Sequence, residues 1–461
     1  MALPISVPYS FANATTSIPL SQLDTDISTI YATVNGIGNG TVALSNVVIT
    51  GGIISNVSGI ATSAISNGTS NVSIATANGS VVVSTAGNTA MTVDTSQNMT
   101  AVGTVAMGSS FKRNRIINGN MLIDQRNAGA AVTVTAASAG YAADRFRIYH
   151  DTAVTGSWTA QQSTQVPTTG YANSLSLTNG TAATPGASDV NIIQQRIEGY
   201  NVADLNFGSS TAATVTISFW VRSSVAGTYG FGLTNSAQNR SYVSTYSIAS
   251  ANTWQQVSIT IAGDQAGTWL ANSGVGLMAT WDLGSGSSIN TTAGAWAAGQ
   301  YFRTSGCVTW INNSSATFYI TGVQLEVGTK ATPYEMQIYS DQLAQCQRYY
   351  FKTFNQGVAP AQGVGINKGE WCTARVVAGA NPQRNSLILP VVMRTTPTTT
   401  YYNPVNANAQ AYNGDQATDC SATQNLSSAQ GDSKVTMYTI NTAAGSAGEA
   451  IIVHITASAE L

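Results

Sequence analysis

Charge is what this sequence has least of. Asp, Glu, Lys and Arg make up 8% of its 461 residues, where roughly 25% is usual. So low a content excludes a highly charged disordered chain and a long charged coiled coil. The net charge of −2 leaves no basic footprint for a phosphate backbone, so nucleic acid is not an expected partner. Histidine is nearly absent, with only His150 and His454, and the cysteines are Cys307, Cys346, Cys372 and Cys420. None of them form a close zinc-type pair or a dense disulfide framework, so neither a metal nor any other cofactor is expected. No apolar run approaches the ~18 residues of a membrane span, and membrane insertion is not expected. The start, "MALPISVPYSFANA", lacks both the basic and the apolar region of a secretory signal. The Asn-x-Ser/Thr triplets at Asn56 and Asn71 are what chance yields in so Ser/Thr-rich a chain.

What is present is a Ser/Thr/Asn/Gly/Ala-rich chain with a strand-prone pattern, long enough for two or three domains. Residues 1–19 hold three prolines and two aromatics, which suits an extended arm. Over 20–35 the residues Leu20, Leu23, Ile27, Ile30 and Val34 step by three and four, as the seam of a short coiled coil does. Two heptads also fit an amphipathic helix on a globular body. No globular body follows for some seventy residues, which favours self-association.

Residues 36–110 recur in blocks of about ten, such as "SNVSIATANG", "SVVVSTAGNT" and "AMTVDTSQN". Each block pairs a short alternating strand with a turn. Isolated strands of this kind are marginal in water, whereas chains winding round a common axis would cover the one apolar face. Val81, Val83, Met91 and Val93 are expected on that axis. A low-complexity linker is the plainer reading, but Ser/Gly linkers do not carry regularly spaced Val and Ile.

Large aromatics enter at Phe111. Over 111–334, strand-like runs such as "ATVTISFWVRS", "NTWQQVSITI" and "ATFYITGVQLEV" recur every ten to fifteen residues, predicting a jelly-roll β-sandwich. Val215, Ile217 and Phe219 are expected in its core, with Trp254, Val257, Ile259 and Ile261 opposite. Trp220 and Trp310 are placed in the core too. Arg113, Arg115 and Arg126 fit either contact with an anionic ligand or pairing with Asp124 and Asp144, and their place where the repeats meet the sandwich favours pairing at a domain junction. Met336, Tyr339, Leu343, Cys346 and Tyr350 predict a connecting helix of about four turns over 335–352. A smaller β domain follows over 353–461.

No catalytic residues are assigned. A glycosidase needs two carboxylates about 5–10 Å apart, and sequence cannot pair Asp124, Asp144, Asp151, Glu198, Asp204, Asp264, Asp282, Glu326 and Glu335. Neither histidine lies near a nucleophile elbow. Aromatics say more, because sugar rings stack on flat aromatic faces while amides bond their hydroxyls. Trp269 and Trp296 lie in Gly/Ala-rich loops and, with Tyr401, Tyr402 and Tyr412, are the candidate carbohydrate-binding residues.

These segments resemble a known family. "PYSFANATTSIPLSQLDTDI" resembles the anchoring segment of tail fibres from short-tailed and related bacteriophages. "RNRIINGNMLIDQRNAG", "YAADRFRI", "TGVQLEVGTKATPYE" and "QLAQCQRYYFK" are similar to the body of such fibres, and "LPVVMRTTPTTTYYNP" with "IIVHITASAEL" to their C-terminal domains. "VTISFWVRSSVAGTYGFGL", "TWQQVSITI" and "FYITGVQLEVG" are similar to the jelly roll of carbohydrate-binding modules. The resemblance implies an all-β fibrous trimer of a virion. Its N-terminus would anchor on tail or portal/adaptor proteins, and its distal domains would attach the particle to host surface glycan without catalysis.

Overall fold

The computed structural model describes residues 17, 19–38, 64–67, 69–76, 78–97, 99–101, 112–136, 138–151, 156–167, 170–425, 429–440 and 445–461. Nearly all of the arm expected over 1–19 lies outside them, as do residues 39–63 and 102–110 of the repetitive β-structured shaft expected over 36–110. The chain divides into two compact units, residues 1–107 and 108–461.

In the first unit, helix α1 (Leu20–Gly38) carries Leu20, Leu23, Ile27, Ile30 and Val34. All five are between 43% and 73% exposed in the single chain. Thr25, Thr29 and Thr33 each return their hydroxyl to the carbonyl four residues back, so these polar groups are satisfied within the helix.

The rest of the unit is an antiparallel meander of β1 (Ala64–Asn67), β2 (Ser70–Ile74), β3 (Val81–Thr85), β4 (Asn88–Val93) and β5 (Met99–Ala101). Register aligns Val72, Val83, Met91 and Ala101 in one row and Ile74, Val81, Val93 and Met99 in the next. Because side chains alternate along a strand, both rows lie on one face. The other face holds Ser73, Val82, Thr92 and Thr100. The β3–β4 turn is Ala86–Gly87, with both φ angles positive, as a two-residue hairpin twisted like its strands requires. Among the described residues of this unit, Val72, Ile74 and Met99 are exposed and none of the sheet's apolar residues is fully buried.

The second unit opens with a sandwich. Its strands are β6 (Val132–Thr135), β7 (Ser138–Ala143), β8 (Phe146–His150), β9 (Ser157–Ser163), β10 (Ser174–Asn179), β11 (Asn191–Glu198), β12 (Val215–Ser223), β13 (Gly227–Thr234), β14 (Arg240–Ile248), β15 (Gln255–Ile261), β16 (Val275–Asp282), β17 (Trp296–Ala298) and β18 (Thr317–Val327). One sheet runs β15-β12-β18-β10-β9-β6 and the other β17-β14-β13-β16-β11-β8-β7, with antiparallel pairing throughout. Val215, Ile217, Phe219 and Val221 point between them, where Phe219, Phe231 and Trp281 meet with centroids 5.3–6.3 Å apart. Each such ring removed from water contributes about 1.5–3 kcal/mol.

Alternation assigns faces correctly but not layers. Val257, Ile259 and Ile261 are inward, yet they flank Phe219, Ile217 and Val215 in the same sheet. The opposing layer is supplied by β13, β16, β11 and β8. Trp310 is fully buried, whereas Trp220 and Trp254 are only half-buried. Both share the parity of the outward positions of β12 and β15.

Helix α2 (Tyr339–Gln347) is shorter than the four turns expected over 335–352. Glu335 precedes it and is held to the sandwich, its carboxylate accepting the Lys112 and Asn114 amides and its own amide donating to Gln324. Tyr350 has already left for a strand, and Met336 and Tyr339 are exposed. The side that buries is Gln342, Cys346 and Tyr349.

Beyond it, β27 (Ala450–Ser458) is paired along both halves. Its partners are β19 (Tyr350–Lys352), β20 (Trp371–Ala374), β22 (Thr398–Tyr402) and β23 (Tyr412–Asn413), the last of which pairs with β24 (Thr418–Asp419). A second sheet orders β21 (Pro382–Ile388), β26 (Lys434–Ile440) and β25 (Ser421–Asn425). Cys307, Cys346 and Cys420 are buried thiols and Cys372 an exposed one.

Buried ions join this part to the sandwich. Glu460 receives Arg126 at 2.9 Å and also Arg145, while Arg126 reaches Asp144 at 3.2 Å. The Arg145 guanidinium lies 3.6 Å from the Tyr349 ring centroid and that of Arg126 3.8 Å from Tyr350. Of the expected junction pairs, only Arg126 with Asp144 forms. Arg113 pairs with Glu326 and Arg115 with Asp204, while Asp124 accepts the Asn127 and Gly129 amides. Glu198, fully buried, accepts Arg348 at 2.6 and 2.8 Å and the Tyr349 hydroxyl at 2.7 Å.

Burial pushes the Glu198 pKa up, but the bonds from Arg348 and Tyr349 outweigh it and the net shift is downward. A depressed carboxyl contributes stability above its unfolded pKa, and that stability is lost as pH falls through the folded one. Glu198→Gln is therefore expected to cost about 3 kcal/mol at neutral pH, read as a lowered Tm. The gap from wild type should close in melts run progressively below pH 4.5, the ordinary Glu value. A gap independent of pH would contradict this account.

Candidate functional site

The loop after β15 and the start of β17 bring Trp269 and Trp296 together, with ring centroids 5.4 Å apart and planes at 82°. Phe207, which follows the second short 3-10 turn, sits 5.0 Å from Trp269 and 5.7 Å from Trp296, and Tyr242 of β14 lies 5.5 Å from Trp296. Edge-on contacts of this kind fix the rings relative to one another. Both indole N–H groups are used internally, Trp269 donating to Ala266 O at 3.1 Å and Trp296 to Ala262 O at 2.7 Å. Both rings stay half-buried, packed against the core of the sandwich.

The loop itself is pinned. Arg240 donates to both Asp264 oxygens, and this hydrogen bonding raises the Arg240 pKa. The Asn235 side chain donates to Thr268 O, next to Trp269. Beside the rings opens a cavity of about 210 Å³ lined by Val202, Leu205, Asn206, Phe207, Ser209 and Trp269. That is below the roughly 300–1,000 Å³ of drug-sized sites, and it suits one small ring entering against an aromatic wall.

The three tyrosines fall elsewhere. Tyr401 is buried, its hydroxyl donating to Asn425 at 2.6 Å, so its ring offers no free face to a sugar. Tyr402 is half-buried against Phe354, and Tyr412 lies on β23 opposite Asp419. No ring contact among the described residues links them to Trp269 or Trp296. Asp419 instead gathers the Asn403, Asn406 and Asn408 side-chain amides at 2.5–2.8 Å, tying down the Asn-rich loop. Phe207 and Tyr242 were not marked by the sequence. A lone aromatic between polar residues, and one in an ordinary strand, carry no signal of proximity to a distant loop.

Each acid weighed from the sequence is engaged by the chain's own groups. Asp151 accepts the Val190 amide, Asp282 those of Gly284 and Ser285, and Glu326 the Thr332 amide and hydroxyl. Asp204, Asp264, Glu198 and Asp144 hold arginines. Full burial raises the Asp282 pKa, with Arg303 opposing. His150 is stacked on Trp158 and bonded to Asn191 and Gly156. His454 stacks on Phe354 at 3.9 Å, and burial lowers its pKa against the pull of Glu370. Among the described residues no three His, Cys, Asp or Glu side chains gather as metal ligands, and no helix is long and apolar enough to cross a membrane.

No protein-family model matches the chain, and no curated protein matches it. Solved structures similar to it include an enzymatically active domain of tailspike protein 4 of bacteriophage CBA120. It is 9% identical with TM-score 0.24, over 47% of this chain and 22% of that one. A family 11 carbohydrate-binding module from Clostridium thermocellum, in complex with a β-1,3-1,4-mixed-linked tetrasaccharide, is 10% identical with TM-score 0.23, over 44% of this chain and 98% of that one. The module TmCBM61, in complex with β-1,4-galactotriose, is 8% identical with TM-score 0.23, over 47% and 100%.

Gly208 offers a test of how the cluster is held. Its φ is +86°, and a Cβ there would stand 2.8 Å from Gly267 O and 3.2 Å from the Trp269 ring. Gly208→Ala is expected to cost about 1–2 kcal/mol, lowering Tm and shifting the tryptophan emission. Unchanged melting and emission would mean that the loop is not packed as described.

Proposed function

We propose that this chain is a non-enzymatic fibre of a bacteriophage virion that attaches the particle to host surface glycan as a homotrimer. The observation that carries the glycan reading is the Trp269–Trp296–Phe207 cluster, whose rings are locked by neighbours and by indole hydrogen bonds beside a small cavity. Rigid rings stack on sugar faces at little entropic cost. The engagement of each candidate carboxylate by donors of the chain itself supports binding over hydrolysis. The resemblance of the sequence segments to tail fibres supports the virion setting. In that setting the N-terminus meets tail or portal/adaptor proteins, and the fibre is extracellular once particles are released.

Trimerisation is supported by two apolar stripes of the first unit, the exposed seam of α1 and the incompletely covered rows of the meander. Leu20, Leu23, Ile27, Ile30 and Val34 would face a three-fold axis, as would Val81, Val83, Met91 and Val93. Weak sugar sites, three to a fibre, then give firm attachment through effective concentration.

Glycan-array binding of the full chain should be reduced at least tenfold by Trp269→Ala or Trp296→Ala in proteins whose melting shows them folded. New reducing ends on incubation with host polysaccharide would point to a depolymerase instead. Labelled protein that binds no cell would point to a purely structural fibre. Sedimentation should give three times 47.7 kDa. The double variant Val83→Asp, Val93→Asp should lower that mass while the melting of the second unit is kept. A wild-type monomer would refute the trimer.

A further inference from the structure

The outer face of the sheet β15-β12-β18-β10-β9-β6 carries a second feature. Alternation along β12 buries Phe219 and Val221 and turns Trp220 and Arg222 outward. Register then sets Arg222 beside Tyr319, Tyr319 beside Ser176 and Ser176 beside Gln161, one row across four strands. Trp254 closes the row, its ring 6.1 Å from that of Tyr319. The Arg222 guanidinium carbon lies 5.1 Å from the Tyr319 centroid.

Apart from this ring contact, Arg222 has no charged partner among the described residues. Its Nε is buried and has no hydrogen-bond partner, and among the described residues no carboxylate pairs with it, whereas eight other arginines, Arg240 and Arg348 among them, each hold one; of the arginines without an acid, Arg196 and Arg394 donate to carbonyls and Arg147 lies 4.3 Å over the Tyr149 ring. In a chain with so few ions this is a permanently charged fork held beside aromatic rings with no anion supplied. The group that matches it is a carboxylate, which guanidinium binds in parallel pairs of hydrogen bonds.

We infer that this row is a binding strip for an acidic saccharide, its carboxylate taken by Arg222 and its rings stacked on Tyr319 and Trp254. The inference rests on the glycan-attachment reading and names a charge class for a site separate from the Trp269–Trp296 cluster, where Arg240 is already neutralised by Asp264. An extended ligand fits better than a point ion, since strands stand about 4.8 Å apart and the row crosses four of them. A saccharide also fits better than an acidic peptide. β12, β18, β10 and β9 are interior strands with ladders on both sides, so the face offers side chains but no free backbone edge for strand addition.

The test uses the full chain against polygalacturonate, alginate and polysialic acid, each beside its carboxyl-reduced neutral form, with poly-glutamate as the peptide polyanion. At least one acidic polymer should bind about tenfold or more tightly than its reduced form. Arg222→Gln should erase that preference while leaving binding to the neutral forms and the melting temperature unchanged. Arg222→Lys, which keeps the charge without the fork, should restore only part of the preference and confirms that the site reads a carboxylate. Equal binding of acidic and reduced polymers, or no acidic polymer bound, overturns the inference, as does a preference that survives in Arg222→Gln. Poly-glutamate bound as well as the best saccharide overturns it in favour of a peptide partner. Loss of glycan binding in Trp269→Ala alone bears on the attachment reading and leaves this one standing, so the two fail separately.

Discussion

Glu460 accepting two arginines is the contact on which the second unit depends. Arg145 sits at the β7–β8 turn with a positive φ of 72°, a conformation that costs an L-residue about 1–2 kcal/mol. Its guanidinium is nonetheless aimed inward, onto Tyr349 and Glu460. Arg394 donates to the Ala459 and Glu460 carbonyls and to Ser273 O, and Arg196 to Leu461 O. Burying ions costs several kcal/mol each unless partners and hydrogen bonds are complete. The cluster is arranged so that the sandwich supplies the cations Arg126, Arg145 and Arg196, and the segment after β27 supplies the acceptors. Parting them would leave Glu460 without either arginine and Arg145 without its carboxylate.

The scarcity of charge acquires a meaning from this. The chain has 18 Lys and Arg against 20 Asp and Glu, and many of them are spent inside, on Glu198, Asp264, Asp282, Glu326 and Glu449. A half-buried arginine without an acid, such as Arg222, therefore stands out more than it would on an ordinary surface.

Much of the fold was legible because strand alternation is local. Val215, Ile217 and Phe219 were readable as one face, and so were Val81, Val83, Met91 and Val93. Layer identity was not legible, since the neighbours of Phe219 in β15 and its opponents in β13 and β16 carry the same pattern. The α2 seam misled because Gln342 is buried there through a bond to Asn120, while the apolar Tyr339 is left out. Trp254 and Trp220 read as core because a tryptophan in an alternating run usually is; here it is parity with the outward residues that decides. Loop composition singles out Trp269 and Trp296 in the sequence, whereas their meeting with Phe207 depends on three distant segments. Tyr401 shows the converse limit, because exposure at a given strand position depends on what the other sheet covers.

The partners in these contacts are far apart in the chain. Arg145 and Glu460 are separated by 315 residues, and Lys112 and Glu335 by 223. Loop closure must be met before such contacts return anything, so topologies of this kind fold slowly. Slow formation of the second unit is therefore built into where its ion pairs lie in the sequence.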